Sequence, residues 1–156
     1  MLAKSYSQQY KSLYNQLHYY PLQPYLDQRR LIETMQLSSV GEIATFLEKY
    51  KDSPLDWPLR KAWLNFLAKK GKGKLFLEFY KPTSNEVLNC QKMTFAMASG
   101  LPESVVLPQM TALWVVGKSL DKACDPVINK WHKAGYRTDH IVWQRISLAA
   151  DGGKHT

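Results

Sequence analysis

The sequence predicts an all-α fold, an α-solenoid of antiparallel helix hairpins with about nine helices, forming a single domain segment over residues 1–156. Three observations carry this expectation. Apolar residues recur at helical spacing through nearly the whole chain. No run has the strict alternation of a half-buried strand. Proline, glycine and capping residues cut the pattern into short helices joined by short gaps, an arrangement in which neighbours pack antiparallel and stack pair on pair. There is no strict sequence repeat, only a loose recurrence of helix, turn and helix, and no interior linker rich in Pro, Gly or Ser divides the chain.

Taken in order, a first helix spans about Leu2 to Tyr19, with Tyr6, Tyr10, Leu13, Tyr14 and Leu17 on one face. Pro21 and Pro24 break and restart the chain into a helix through Tyr25, Leu26, Leu31 and Ile32. Ser39-Val40-Gly41-Glu42 has the form of a capping box ahead of the stripe Ile43, Phe46, Leu47 and Tyr50. Asp52-Ser53-Pro54 ends that helix. Pro58 suits the first turn of the next, which carries Leu59, Trp63, Phe66 and Leu67 on one face, with Gly71 and Gly73 marking its end. A short helix with Leu75, Phe76 and Phe79 stops before Pro82.

Thr83-Ser84-Asn85-Glu86 offers a second capping box, and the helix after it runs through Cys90, Met93 and Met97 to about Gly100. The next begins near Pro102 and holds Leu107, Met110, Leu113 and Trp114. Pro108 falls inside it and predicts a late start or a distorted first turn. Asp125-Pro126 reads as an N-cap followed by proline at the first helical position, with Val127, Ile128 and Trp131 as the stripe and Gly135 as the stop. Thr138 or Asp139 caps a last helix carrying Val142, Ile146 and Ala149.

Composition narrows the function classes. Apolar residues make up 45% of 156 residues, enough for one domain with a real core and far from a disordered composition. No stretch approaches the ~20 apolar residues that span a bilayer, and the N-terminus lacks the apolar core of a secretory signal. Met1 reads as the start of an engineered form or of a mature chain without its leader. The net charge of +8, with a pI near 9.5, suits an acidic partner: nucleic acid, anionic lipid or a carboxylate-rich polymer. The densest basic run, Lys69-Lys70-Gly71-Lys72-Gly73-Lys74, sits at a helix end, where positive charge complements the helix dipole.

Residues with possible chemistry are few. His18, His132, His140 and His155 form no metal-binding motif with each other or with a cysteine, and no Ser–His–Asp arrangement is legible. The glycine-rich Gly71–Lys74 run lacks phosphate-loop spacing. Aromatic residues crowd the first 25 positions (Tyr6, Tyr10, Tyr14, Tyr19, Tyr20, Tyr25), with Trp57 and Trp63 later. They either stack on bases or sugars or fill helix seams, and the stripe spacing favours seams. Trp114 and Trp131 read as core anchors. The two cysteines, Cys90 and Cys124, lie 34 residues apart, too far for a CxxC motif. By composition they are equally a disulfide or two free thiols. Cys124 precedes a helix start, where a thiolate would be favoured, but no matching histidine is in view.

The stretch Leu113-Trp114-Val115-Val116-Gly117-Lys118-Ser119, followed by Ala123-Cys124-Asp125, together with Asn89-Cys90 upstream, resembles the soluble lytic murein transglycosylases. The part it resembles is the α-superhelical region ahead of their catalytic domain. The likeness extends to Tyr20-Pro21-Leu22-Gln23-Pro24-Tyr25-Leu26, Arg29-Arg30-Leu31, the pattern from Phe46 to Gly71, Trp131, and Arg145-Ile146 with Leu148-Ala149. The resemblance implies a right-handed α-superhelix, a disulfide between Cys90 and Cys124, and a periplasmic protein. It further implies that the longer enzyme cleaves the β-1,4 bond between N-acetylmuramic acid and N-acetylglucosamine without water, leaving a 1,6-anhydro-muramyl end. No cofactor is implied.

Family catalysis needs a glutamate followed by serine, with a Gly-Leu-Met-Gln-type segment downstream. Glu103-Ser104 has the dipeptide without that segment, so Glu103 reads as a first-turn residue favoured by the helix dipole. No catalytic, cofactor-binding or metal residue is therefore assigned, and the segment reads as a scaffold, inactive alone, cut from a longer superhelix. Its expected partners are peptidoglycan, through the whole enzyme, and the further superhelix and catalytic domain, with no nucleic acid and no membrane span. Two rivals remain: a free-standing helical-repeat adaptor for a protein or peptide, and an RNA-binding helical repeat suggested by charge and aromatics.

Overall fold

The computed structural model describes residue 11 and residues 22–152. Apart from Lys11, the expected first helix with its Tyr6, Tyr10, Leu13, Tyr14 and Leu17 stripe lies outside the described residues, as do Tyr19, Tyr20, Pro21, His18 and His155. Every regular element among the described residues is helical, so the chain is all-α. It divides into two compact units, Met1–Phe66 and Leu67–Thr156.

In the first unit, α1 (Gln23–Glu33) starts with proline in its first turn and buries Leu31. A 3-10 turn, Leu37–Ser39, leads into α2 (Val40–Lys49), whose Ile43, Phe46 and Leu47 are buried at the expected spacing. The expected box at Ser39 is corrected. Ser39 already has helical φ and ψ and caps nothing in α2; its hydroxyl oxygen accepts from the Gln36 N–H and closes the preceding turn instead. Glu42 is turned to Arg30, 3.0 Å away. After α2 the chain reverses through Asp52, held at φ 58°, and Ser53, whose hydroxyl donates to the Tyr50 carbonyl and accepts from the Leu55 N–H. The next helix, α3 (Asp56–Lys69), has Pro58 in its first turn, where the missing N–H costs nothing. Leu59, Trp63 and Leu64 are fully buried on it.

The second unit begins in the last turn of α3. Gly71, at φ 66°, turns the chain out of the helix. Gly73 does not share that task. It opens α4 (Gly73–Phe79), and a Cβ there would lie 2.7 Å from the Phe95 ring, so its lack of a side chain lets α4 approach α5 (Glu86–Ala98). The cap of α5 falls two residues later than the box read from Thr83: the Asn85 side chain accepts from the Leu88 N–H, while the Thr83 hydroxyl accepts from the Asn85 N–H. Pro108 splits the following span into α6 (Glu103–Val106) and α7 (Pro108–Trp114), pivoting at buried Leu107. A 3-10 turn, Lys122–Cys124, precedes α8 (Asp125–Lys133), so Cys124 rather than Asp125 holds the cap position and Pro126 sits one residue further in. Thr138 caps α9 (Asp139–Ala150) by accepting from the Ile141 N–H. The core of this unit joins Cys90, Met93, Val106, Met110, Trp114, Val127 and Trp131.

Candidate functional site around the loop from Trp114 to Cys124

Between α7 and the 3-10 turn the backbone runs without helix through residues 115–121. A segment of this kind has no ladder of its own, so its polar groups must find partners elsewhere. Glu86 and Arg145 supply partners for some of them, and a disulfide pins the segment's far end. Cys90, fully buried on α5, is bonded to Cys124, with Cα atoms 5.0 Å apart. Glu86, in the first turn of α5, places one carboxylate oxygen 3.2 Å from the Lys118 ammonium and accepts the Asp121 N–H with the other at 3.3 Å. Arg145, on α9, donates to the Trp114 and Lys118 carbonyls at 3.0 Å each.

Arg145 also lies over the Trp114 indole, its guanidinium carbon 4.4 Å from the ring centroid, and Arg137 approaches the same ring at 5.4 Å. Burial, and then the neighbouring positive charge of Arg137, lowers the Arg145 pKa. The indole offsets this by presenting its negative face to the cation. Below it, Trp114 meets Trp131 at 5.2 Å between ring centroids, tilted by 39°. The Trp131 N–H, buried with its ring, donates to the Thr111 hydroxyl at 3.0 Å. The two tryptophans read from sequence as anchors are thus buried, and the short motif that joins them is tied down on three sides.

Glu103, Cys124, His132 and His140, the residues that sequence singled out for possible chemistry, are not gathered at one place with a shared partner. Glu103 opens α6, is more than half exposed and pairs with Lys130 at 3.0 Å, the opposite of the apolar pocket that keeps a carboxyl protonated as a general acid. Cys124 carries no thiolate, because its sulfur is bonded to Cys90. His132 and His140 are exposed at the end of α8 and the start of α9, and no group of His, Cys, Asp or Glu among the described residues is arranged to hold a metal. No helix among them is long and apolar enough to cross a membrane. Trp63 is fully buried and stacks on Phe66 at 5.5 Å; Trp57 is half-buried and Tyr25 exposed. Lys69, Lys70, Lys72 and Lys74 are all exposed around Gly71.

Two features escaped the sequence reading. Asp56 and Arg60, one turn apart on α3, form a buried two-pronged ion pair with both bonds at 2.8 Å. The spacing of acid and base by four residues was the available signal. Trp143, on α9, is 67% exposed. Its signal was the run Ile141-Val142-Trp143, which wraps further round the helix than the stripe a single buried face needs.

No protein-family profile matches the sequence. Among curated proteins, the soluble lytic murein transglycosylases of Salmonella typhimurium and Escherichia coli K12 are each 26% identical over 136 residues, covering 86% of this chain and 21% of theirs. Among solved structures, the lytic transglycosylase Slt of Pseudomonas aeruginosa superposes with a TM-score of 0.80 at 33% identity, covering 97% of this chain and 25% of that one. The 70-kDa soluble lytic transglycosylase of Escherichia coli superposes at 0.77 and 21% identity, over 95% of this chain and 25% of that one, and adds support for the fold alone. With its all-α architecture matched along nearly its full length, the chain is related to the soluble lytic murein transglycosylases and spans about a fifth to a quarter of their length.

Proposed function

We propose that residues 1–156 are one segment of the α-superhelical scaffold that stands ahead of the catalytic domain in a soluble lytic murein transglycosylase, and that the protein works in the periplasm. The longer enzyme would cleave the β-1,4 bond between N-acetylmuramic acid and N-acetylglucosamine and leave 1,6-anhydro-muropeptides. In this reading the segment supplies shape and strand guidance, and its net charge of +8 suits the carboxylates of peptide stems. The observation that carries the proposal is the likeness to the Pseudomonas Slt structure over 97% of the chain. The tied loop supports it: its polar groups and its disulfide are engaged in holding helices α5, α7 and α9, and a buried disulfide fits an oxidising compartment.

The test is incubation of the purified chain with murein sacculi. The expected result is co-sedimentation that weakens with salt, with no 1,6-anhydro-muropeptides in the supernatant by chromatography. Release of anhydro products would overturn the scaffold reading. A chain that stays in the supernatant at low salt would overturn strand guidance.

A further inference from the structure

The lysine run between α3 and α4 exceeds what the two helices require. Lys69 and Lys70 stand at the end of α3, where positive charge complements the helix dipole. Lys72 and Lys74 have no such reason. Lys72 holds the cap position of α4 and Lys74 lies in its first turn, at the positive end of the dipole, and no acidic residue in that turn offsets them. All four lysines are exposed, and Glu78 is the one acidic residue between positions 69 and 79. Two exposed aliphatic side chains belong to the same end of the second unit. Gly73 abuts the Phe95 ring near the end of α5, and one residue further on the Ala96 carbonyl accepts the Leu101 N–H at 3.1 Å. Leu101 is 47% exposed and Val105 55%. Glu103, which lies between them in the chain, is paired with Lys130.

We propose that this end of the second unit docks on an anionic lipid bilayer, with the lysines over the headgroup phosphates and Leu101 and Val105 entering the headgroup boundary. The type of cation favours such a partner. Every cation in the run is Lys, a point charge that needs no fixed partner geometry, whereas a single carboxylate or base is read by the planar fork of Arg. The exposed apolar groups are aliphatic, and Phe79 and Phe95 beside the run are half-buried, so nucleic-acid bases meet no exposed ring on which to stack. Basic side chains set beside a few apolar ones are the chemistry of attachment to a membrane surface. A single patch of this size holds reversibly and is released by salt. The proposal rests on this surface alone and is independent of the murein reading.

The test is flotation of the chain with two kinds of vesicle, one of phosphatidylglycerol and phosphatidylcholine in equal parts, the other of phosphatidylcholine alone. Binding to the first kind only is expected, and it should fall as salt is added. Lys72→Gln with Lys74→Gln should weaken it by about fivefold for each lysine removed. Leu101→Gln with Val105→Thr should weaken it by about fivefold at fixed salt, with helix content unchanged by circular dichroism in both double variants. Lys122→Gln serves as the control. It lies beyond the opposite end of α5, where Glu86 meets the Asp121 N–H, about 20 Å from the patch by helix length and past the reach of screened charge; it should bind as the parent does. No binding to either vesicle, equal binding to both, or equal loss in Lys122→Gln and the Lys72, Lys74 variant overturns the proposal. A Leu101→Gln, Val105→Thr chain that floats as the parent does also overturns it, because charge alone would then act and a soluble polyanion would serve as well. So does a single-stranded oligonucleotide that displaces the chain from the vesicles at equal phosphate concentration.

Discussion

Up to Phe66, α1, α2 and α3 carry a buried apolar set, Leu31, Ile43, Phe46, Leu47, Leu59 and Trp63, and the connections between them are short turns. The charged groups buried there, Asp56 and Arg60, satisfy each other one helical turn apart. From Leu67 onward the apolar set is of similar kind, but a stretch without helix crosses from Trp114 to the 3-10 turn at Lys122, and the cross-ties converge on it: the Cys90–Cys124 bond, Glu86 and Arg145. The difference is one of backbone bookkeeping. A helix satisfies its own N–H and C=O groups, so a bundle of helices with tight turns needs only apolar seams. An irregular segment leaves carbonyls and amides to be met by side chains from elsewhere, and a covalent tie limits how far it can open.

Replacing both cysteines, Cys90→Ala with Cys124→Ala, should have the largest effect: about 3–4 kcal/mol, from the loop entropy returned to the unfolded chain by a closure of this size. Chemical denaturation gives the magnitude. Hydrogen exchange locates it, with faster exchange expected in α5 and α8 and little change in α2. Equal loosening of α2 would break the contrast between the two units.

Next comes Asp56→Ala, the mirror experiment in the first unit. It removes both 2.8 Å bonds that the buried Arg60 guanidinium makes to this carboxylate, and about 3 kcal/mol of destabilisation is expected. The joint variant Asp56→Ala with Arg60→Met should recover much of the loss, because an apolar side chain at position 60 carries no charge to be held out of water. No recovery in the joint variant would show that the pair organises α3 in a way its burial does not reveal.

The smallest effect belongs to Arg145→Lys. Charge is kept, but the planar fork that meets two carbonyls at once over the Trp114 ring is lost, at about 1–2 kcal/mol. NMR shifts should move at Trp114, Gly117 and Lys118 and stay fixed in α1 and α2. A silent Arg145→Lys would assign the loop's order to the disulfide and Glu86 alone.

Much of this was legible in the chain itself. The i, i+3, i+4 recurrence set the all-α class, and Pro24, Pro58, Gly71, Gly100 and Gly135 fell at the starts and stops where backbone geometry requires them. Trp114 and Trp131 were readable as anchors because large apolar groups on a stripe have nowhere else to go. Cap assignments were less so. Ser39 closes the turn before α2 in place of capping that helix, and the caps at Asn85 and Cys124 lie one or two residues from the positions that local pattern favours, because several hydrogen-bonding residues in a row compete for the same few amides and the neighbouring turn decides which succeeds.

What the sequence determined alone was therefore periodicity and punctuation, since these depend on forces that act within one or two turns. Only the tertiary structure decided which polar groups meet across the chain. Arg145 reaches the carbonyls at positions 114 and 118, Gly73 makes room for Phe95, and Trp143 is left facing outward while Ile141 and Val142 pack against the core. Each of these is settled by how separate helices come together, and local sequence carries no record of its distant neighbour.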